Sequence, residues 1–264
     1  MADVDADGTV LYNTGLGHGD AMHLSDLDPS RPGLEVFAVH ESMTASGNRG
    51  ATFRDADTGE VLWSMPASTD IGRGAAGDID PTQPGAESWA VTTTGEWDSR
   101  EGELRAADGT LVGPSIPPAN FMVWWDGDPL REIFDHEFDE EVYPRGGSPY
   151  VAKWDWETGQ QERVLEPEDV YSNNGTKGNP TLQADLYGDW REELVLPTTD
   201  DEALRIFTTT AETELRLPTL MHDPVYRLGV AWQNVAYNQP PHTSYFLGDG
   251  MERPARPAIR YVGR

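Results

Sequence analysis

Five side chains in short segments rich in Gly and Asn have the types and spacing to do chemistry. His18 and Asp20 lie in Gly17-His18-Gly-Asp20-Ala-Met-His23, and Arg73 in Ile71-Gly72-Arg73-Gly74. Lys177 closes Asn173-Asn174-Gly-Thr-Lys177, and Tyr237 opens Tyr237-Asn-Gln-Pro-Pro-His242. His18 and Asp20 read as ligands of a metal ion, or His18 reads as a hydrogen-bonding residue in a Gly-rich turn. An arginine between glycines implies backbone that a ligand approaches closely. Lys177 is one of only two lysines, the other being Lys153, so its place in a Gly/Asn loop points to function. A cation site beside an arginine, a lysine and a tyrosine suits an anionic substrate bridged by Ca²⁺. It suits β-elimination from a uronic acid in particular: the metal neutralises the C6 carboxylate and acidifies the C5 hydrogen, and a basic side chain removes that hydrogen. No Ser-His-Asp order, phosphate-cradling Gly loop or zinc-like His/Cys cluster competes with this reading.

The elements that must position these residues repeat along the chain. Four Asp-rich loops begin at Asp26, Asp78, Asp126 and Asp185, separated by 52, 48 and 59 residues. Each ends in Glu shortly before an apolar strand: Asp26-Leu-Asp28 with Glu35, Asp78-Ile-Asp80 with Glu87, Asp126-Gly-Asp128 with Glu132, and Asp185 with Asp189 and Glu193. Paired aspartates with a later carboxylate supply the oxygens that wrap a hard cation such as Ca²⁺, although Asp and Pro also favour solvated turns without metal. Out of phase with these loops, turns at Gly8, Gly59, Gly109 and Gly159 recur every 51, 50 and 50 residues. A period near 50 with four strands per unit predicts an all-β fold of propeller blades.

Strands are expected at 21–27, 34–40, 50–56 and 61–66 in the first unit, and at 75–79, 87–93, 102–107 and 111–117 in the second. The third has 121–125, 131–136, 150–156 and 162–166, and the fourth 181–186, 192–197, 203–209 and 214–217. The Asp loop joins strands one and two, and the Gly turn closes the hairpin of strands three and four. The ends are partial blades: residues 1–13 supply two strands, and 229–235 and 244–247 begin another. That gives about four complete blades in a single domain over 1–264, with 137–147 as an acidic surface insertion. Loops entering strand one of each blade open on one face around the axis, so His18, Asp20, Arg73, Asn174 and Lys177 converge at one mouth, joined by Tyr237. Trp124 and Trp125 fall on a strand, where core packing is the default and sugar stacking the alternative.

Composition narrows the partners. Across 264 residues, 46 acidic side chains against 19 basic give a net charge of −27. Such a field repels nucleic acid and anionic membranes and attracts cations; it is also the surface a protein living in high salt would carry. The absence of cysteine rules out disulfides and thiolate chemistry. No apolar stretch approaches a membrane span, and the N-terminus has neither the basic nor the apolar region of an export signal.

The segments Gly15-Leu-Gly-His18-Gly-Asp20-Ala-Met-His23, Asn173-Asn-Gly-Thr-Lys177 and Gly188-Asp-Trp-Arg-Glu-Glu193 resemble family eleven polysaccharide lyases. So do Leu220-Met-His-Asp-Pro-Val-Tyr-Arg227 and Ala231-Trp-Gln-Asn-Val-Ala-Tyr-Asn-Gln-Pro-Pro-His242. These are the rhamnogalacturonan lyases, eight-bladed propellers that cleave the pectin main chain. The resemblance implies Ca²⁺ dependence, secretion and eliminative cleavage between rhamnose and galacturonate. By motif, His18, Asp20 and Glu41 would hold the calcium at the mouth, while Arg73, Lys177 and Tyr237 would face the substrate with Asn174. Lysine shifts down more readily than arginine when desolvated, so Lys177 is favoured as base, with Tyr237 positioning substrate or acting as acid. The likeness extends to the C-terminal half of the family only, without the front β-domain and earlier blades. Met1 falls inside a blade, as a split gene or truncated reading frame would place it; the missing half would then be a partner of an otherwise monomeric chain. An inactive calcium-binding propeller fragment and a calcium-dependent carbohydrate-binding module are the competing expectations.

Overall fold

The computed structural model describes residues 2–4, 7–92, 99–138, 146–175, 177–233, 235 and 238–258. A two-stranded hairpin comes first, β1 (Ala2–Val4) with β2 (Val10–Asn13). Blade one is β3 (Met22–Ser25), β4 (Glu35–Val39), β5 (Arg49–Asp55) and β6 (Val61–Pro66), paired antiparallel in that order. Blade two is β7 (Gly74–Gly77), β8 (Glu87–Ala90), β9 (Glu101–Arg105) and β10 (Leu111–Ser115). Blade three is β11 (Phe121–Val123), β12 (Glu132–Glu137), β13 (Ser148–Asp155) and β14 (Gln160–Leu165). Blade four has three strands, β15 (Leu182–Ala184), β16 (Glu193–Pro197) and β17 (Leu204–Phe207). The repeat read from the sequence is thus a set of antiparallel meanders. Gly59 and Gly109 adopt φ of +74° and +86° in the turns between third and fourth strands, a conformation that strains any residue with a Cβ.

The burial pattern orders each blade radially. Every residue of β4, β8 and β11 is buried, whereas the fourth strands β10 and β14 are mostly exposed. First strands of neighbouring blades touch, β3 with β7 and β7 with β11. Small residues permit that approach: a Cβ on Gly74 would lie 2.5 Å from Val39. Apolar clusters fill the spaces between sheets. Phe37, Phe53 and Met65 pack with Ala76 and Ala90 between blades one and two; Trp89 and Leu104 pack with Met122 and Ile133 between two and three; Phe121, Phe134 and Val151 pack with Leu194 and Leu196 between three and four.

The C-terminal part departs from the expected blades. Residues 229–232, expected in a strand, lie in helix α2 (Pro224–Trp232), which follows α1 (Met43–Ser46) in chain order. The cause is local: the Asp223 side chain accepts from the Tyr226 N–H at 2.8 Å and Pro224 occupies the first helical position, an N-terminal signature that overrides the β-branched residues. Residues 214–217 form no strand; Thr213 donates to Gly127 O at 2.6 Å and accepts from Leu215 N at 3.1 Å, while Leu215 and Leu217 turn onto the cluster of Trp124, Trp190, Leu220 and Tyr226. Residues 244–247 likewise form no strand. Most of the acidic insertion and Tyr237 lie outside the described residues. No helix among the described residues is long and apolar enough to cross a membrane.

Candidate functional site

The segments that enter the first strands do converge. The His18–Asp20 segment enters β3, Arg73 directly precedes β7, Asn120 precedes β11, and the Lys177 loop leads to β15. Gly19 holds the first in place: a Cβ there would fall 1.8 Å from Val39 O, so only glycine permits this close backbone contact. Glu41 is brought alongside by its N–H, which donates to His18 O at 3.1 Å. His18 Nδ1 then lies 3.6 Å from Asp20 Oδ1 and 3.1 Å from Glu41 Oε2. Donor atoms of His18, Asp20 and Glu41 all lie within 4.8 Å of one another. Asp20 Oδ1 is buried and accepts no hydrogen bond from the described residues, an oxygen that a bound cation would satisfy.

Lys177 reaches this cluster from 157 positions away, donating from Nζ to Asp20 O at 3.2 Å and standing 3.8 Å from Asp20 Oδ2. Its side chain is 13% exposed. Burial lowers its pKa below the ordinary lysine value; Asp20 opposes that shift and Arg73 adds to it. The backbone N–H of Lys177 donates to Asn174 Oδ1 at 3.3 Å, so Asn174 shapes the loop from within. Arg73 is buried and donates to Asn120 Oδ1. Asn120 in turn donates to Asp135 Oδ1 at 2.6 Å, and the His136 N–H meets the same oxygen at 2.8 Å. Trp124 and Trp125 are 3% and 6% exposed, in the core rather than on a sugar-binding surface.

Two members of this constellation, Asp70 and Asp135, escaped the sequence reading, whereas Asn120 lies in the loop expected to enter strand one of the third blade. Asp70 faces the cluster; burial raises its pKa, as does Asp20, while His18 and Lys177 pull it down. Its one signal is its place three residues before Arg73. Asn120 and Asp135 fix Arg73 from blade three, and the one sign of Asp135 in the sequence is an acidic residue directly after the apolar pair Ile133-Phe134 of an expected strand.

The Asp loops share one device. The terminal Glu of each turns one oxygen inward to two successive backbone N–H groups: Glu35 to Leu27 and Asp28 at 3.0 and 3.1 Å, Glu87 to Ile79 and Asp80 at 2.9 and 3.0 Å. Glu132 does the same with Trp125 and Asp126 at 2.9 and 3.3 Å, and Glu193 with Leu186 and Tyr187 at 2.8 and 3.1 Å. The second oxygen distinguishes the blades. Glu35 Oε1 and Asp26 Oδ1 in the first loop, and Glu87 Oε1 and Asp78 Oδ1 in the second, are buried without a hydrogen-bond donor among the described residues, although Arg31 Nε stands 3.7 Å from Glu35 Oε1. Asp28 and Asp80 are held in turns by Ser30 and Thr82. Burial pushes Glu35 and Asp78 up to about 7 and Glu87 well above its usual range. In the fourth loop the oxygens of Asp185, Asp189 and Glu193 already accept from protein donors, including Thr219, Arg191 and Thr208. Among the described residues, the Asp loop whose three carboxylates gather within 4.8 Å is the third, Asp126, Asp128 and Glu132.

Residues 1–257 match the model of the C-terminal domain of rhamnogalacturonan lyase family 11. Rhamnogalacturonan exolyase YesX of Bacillus subtilis (strain 168) is 54% identical over 98% of this chain and 42% of its own length, and rhamnogalacturonan endolyase YesW of the same organism 54% over 96% and 37%. The crystal structure of exotype YesX superposes with a TM-score of 0.91 at 53% identity, covering 98% of this chain and 42% of that one; a Bacillus licheniformis rhamnogalacturonan lyase gives 0.87 at 49%, covering 98% and 41%. The chain spans about two fifths of the length of these relatives. It belongs to rhamnogalacturonan lyase family 11, matching the family's C-terminal domain.

Proposed function

We propose that this chain carries the proton-abstracting part of a calcium-dependent rhamnogalacturonan lyase acting on the galacturonate–rhamnose backbone of pectin outside the cell. The observation that carries the reading is Lys177: a partly buried ammonium with a depressed pKa, standing 3.8 Å from a carboxylate of the mouth cluster with an imidazole and two carboxylates. A bound calcium would be held by His18, Asp20 and Glu41 and would neutralise the uronate carboxylate. Lys177 Nζ, in its neutral form, takes the C5 proton of galacturonate. The electron pair becomes the C4–C5 double bond, the bond from C4 to the rhamnose oxygen breaks, and that oxygen takes a proton from Tyr237 or water. Arg73, held by Asn120 and hence by Asp135, stays protonated and binds the substrate anion. Asp26, Asp28 and Glu35, with Asp78, Asp80 and Glu87, would hold structural calcium, because the buried oxygens of Asp26, Glu35, Asp78 and Glu87 without hydrogen-bond donors among the described residues call for a cation. The acidic surface suits a saline setting, and the full ring would have eight blades.

A second reading is that this length alone is an inactive calcium-binding propeller piece or carbohydrate-binding module. It is favoured by coverage of about two fifths of the relatives. Ultraviolet absorbance of unsaturated uronate, followed with purified chain, rhamnogalacturonan I and Ca²⁺ and with a chelator control, separates the two. Calcium-dependent product lost in Lys177→Ala supports the lyase. A flat trace from folded chain that still binds the polysaccharide sinks activity at this length and favours the module.

A further inference from the structure

The four Asp loops look equivalent in sequence, yet the residue facing the terminal Glu across the neighbouring strand differs in each. Glu35 pairs with Asp55. The ladder Ser88–Arg105 places Ala106 opposite Glu87, and Ile133–Ala152 places Lys153 opposite Glu132. Leu194–Phe207 places Thr208 opposite Glu193. In the third loop, the Lys153 ammonium lies 2.5 Å from Asp126 Oδ2, 2.5 Å from Asp128 Oδ2 and 3.4 Å from Glu132 Oε1. An ammonium has three donors and no acceptor; here two of them meet Asp126 and Asp128, and Glu132 Oε1 lies 3.4 Å away as an ion pair without a hydrogen bond. Glu132 is fully buried, and its Oε1, with no hydrogen-bond donor among the described residues, has the Lys153 ammonium as its ion-pair partner. The other oxygens of the set are already tied to backbone N–H groups of Trp125, Asp128 and Leu130. The first loop has Arg31 as its nearest cation, with Nε 3.7 Å from Glu35 Oε1 and Nη2 3.4 Å from Asp55 Oδ2 but outside the carboxylate set; it and the lysine-free second loop keep buried carboxylate oxygens with no hydrogen-bond donor among the described residues.

We propose that Lys153 is a built-in counter-ion occupying the cation position of the third Asp loop, so that this blade assembles without a divalent metal, and that removing the ammonium opens a latent Ca²⁺ site. Three carboxylate oxygens within 4.8 Å repel one another unless a positive charge lies between them, and hard oxygen donors at such spacing suit calcium. The chain's two lysines then have distinct tasks, one at the mouth and one in a blade.

The test is calorimetric Ca²⁺ titration of the chelator-treated full chain, with melting temperature followed in chelator and in calcium. Lys153→Met is expected to bind one more ion than wild type, to melt below wild type in chelator and to recover in calcium. Asp126→Asn/Asp128→Asn in the wild-type background is expected to bind as many ions as wild type. Should Lys153→Met not fold in chelator, this double variant carries the test by itself. An unchanged ion count in folded Lys153→Met, or the loss of one ion in the double variant, overturns the proposal. The inference builds on reading the neighbouring loops as calcium sites, but the two fail separately: wild type binding no calcium sinks that reading, while the one-ion gain of Lys153→Met over wild type still tests this one.

Discussion

Arg131→Met is expected to destabilise the chain by about 3 kcal/mol, through a charge pair that locks three blades to the C-terminal segment. The Arg131 and Glu192 side chains are 1% and 0% exposed and 3.4 Å apart. Arg131 also donates to Pro241 O at 2.9 Å and stacks its guanidinium 3.7 Å over Trp124, while its backbone N–H bonds Asp78 O at 2.8 Å. With both partners out of water, solvent screening gives no discount. Removing one member of such a pair costs about 3–5 kcal/mol, because the other charge is left buried. The lower end applies, since Glu192 keeps donors from Tyr226 OH at 2.7 Å, Gln183 at 2.6 Å and Trp124 N at 3.0 Å. Met preserves most of the stem volume, so the loss reports charge rather than a cavity. At roughly 2–4 °C per kcal/mol for a chain of this size, the melting temperature should fall by about 6–12 °C. Calorimetry, with urea unfolding by tryptophan fluorescence, measures both quantities. Arg131→Met/Glu192→Gln should recover part of the loss, because no buried charge then lacks its partner. A single variant within about 1 kcal/mol of wild type, or a double variant worse than the sum of the singles, would refute the reasoning.

Three further outcomes follow from the site. In a context that shows eliminative activity, Lys177→Ala should lower turnover about 10²–10⁴-fold, the range of a general base, with folding unchanged by circular dichroism; a loss below tenfold would remove Lys177 from that role. Gly19→Ala must displace backbone at Val39 and should cost about 1–3 kcal/mol while weakening calcium binding at His18, Asp20 and Glu41; unaltered calcium affinity by calorimetry would contradict the geometry. The neutral pair His23–His242, 2.9 Å apart, predicts a pH dependence. Burial lowers His23 to about 4 and His242 well below its ordinary value, so the unfolded chain binds more protons than the native one below pH ~6.5. Their contribution is complete above that pH and is lost as pH falls toward 4, by up to about 1.4 kcal/mol per pH unit for each histidine. Carboxylates raised by burial, such as Asp135, act with the opposite sign, so the comparison is with His242→Gln, whose stability should change less steeply across this window.

How much of this was written in the sequence depends on the range of the interaction. The Asp loops and Gly turns, with the meanders between them, were legible because turn chemistry and strand alternation act within a few residues, and the repeat states them four times over. The motif segments also identified the family. Only the tertiary structure decided what the loops do with their charges. Whether a terminal Glu meets Asp55, Ala106, Lys153 or Thr208 depends on register with a strand further along the chain. Likewise Lys177 lies beside Asp20 only because blades one and four place their entry loops on one face. The helix at Pro224–Trp232 in place of a strand shows the reverse: the cap at Asp223 was readable, but the burial of Tyr226 against Glu192 that anchors it was not. Local chemistry named the parts, and long-range packing chose their partners, because burial and charge pairing are fixed by distances that sequence spacing does not contain.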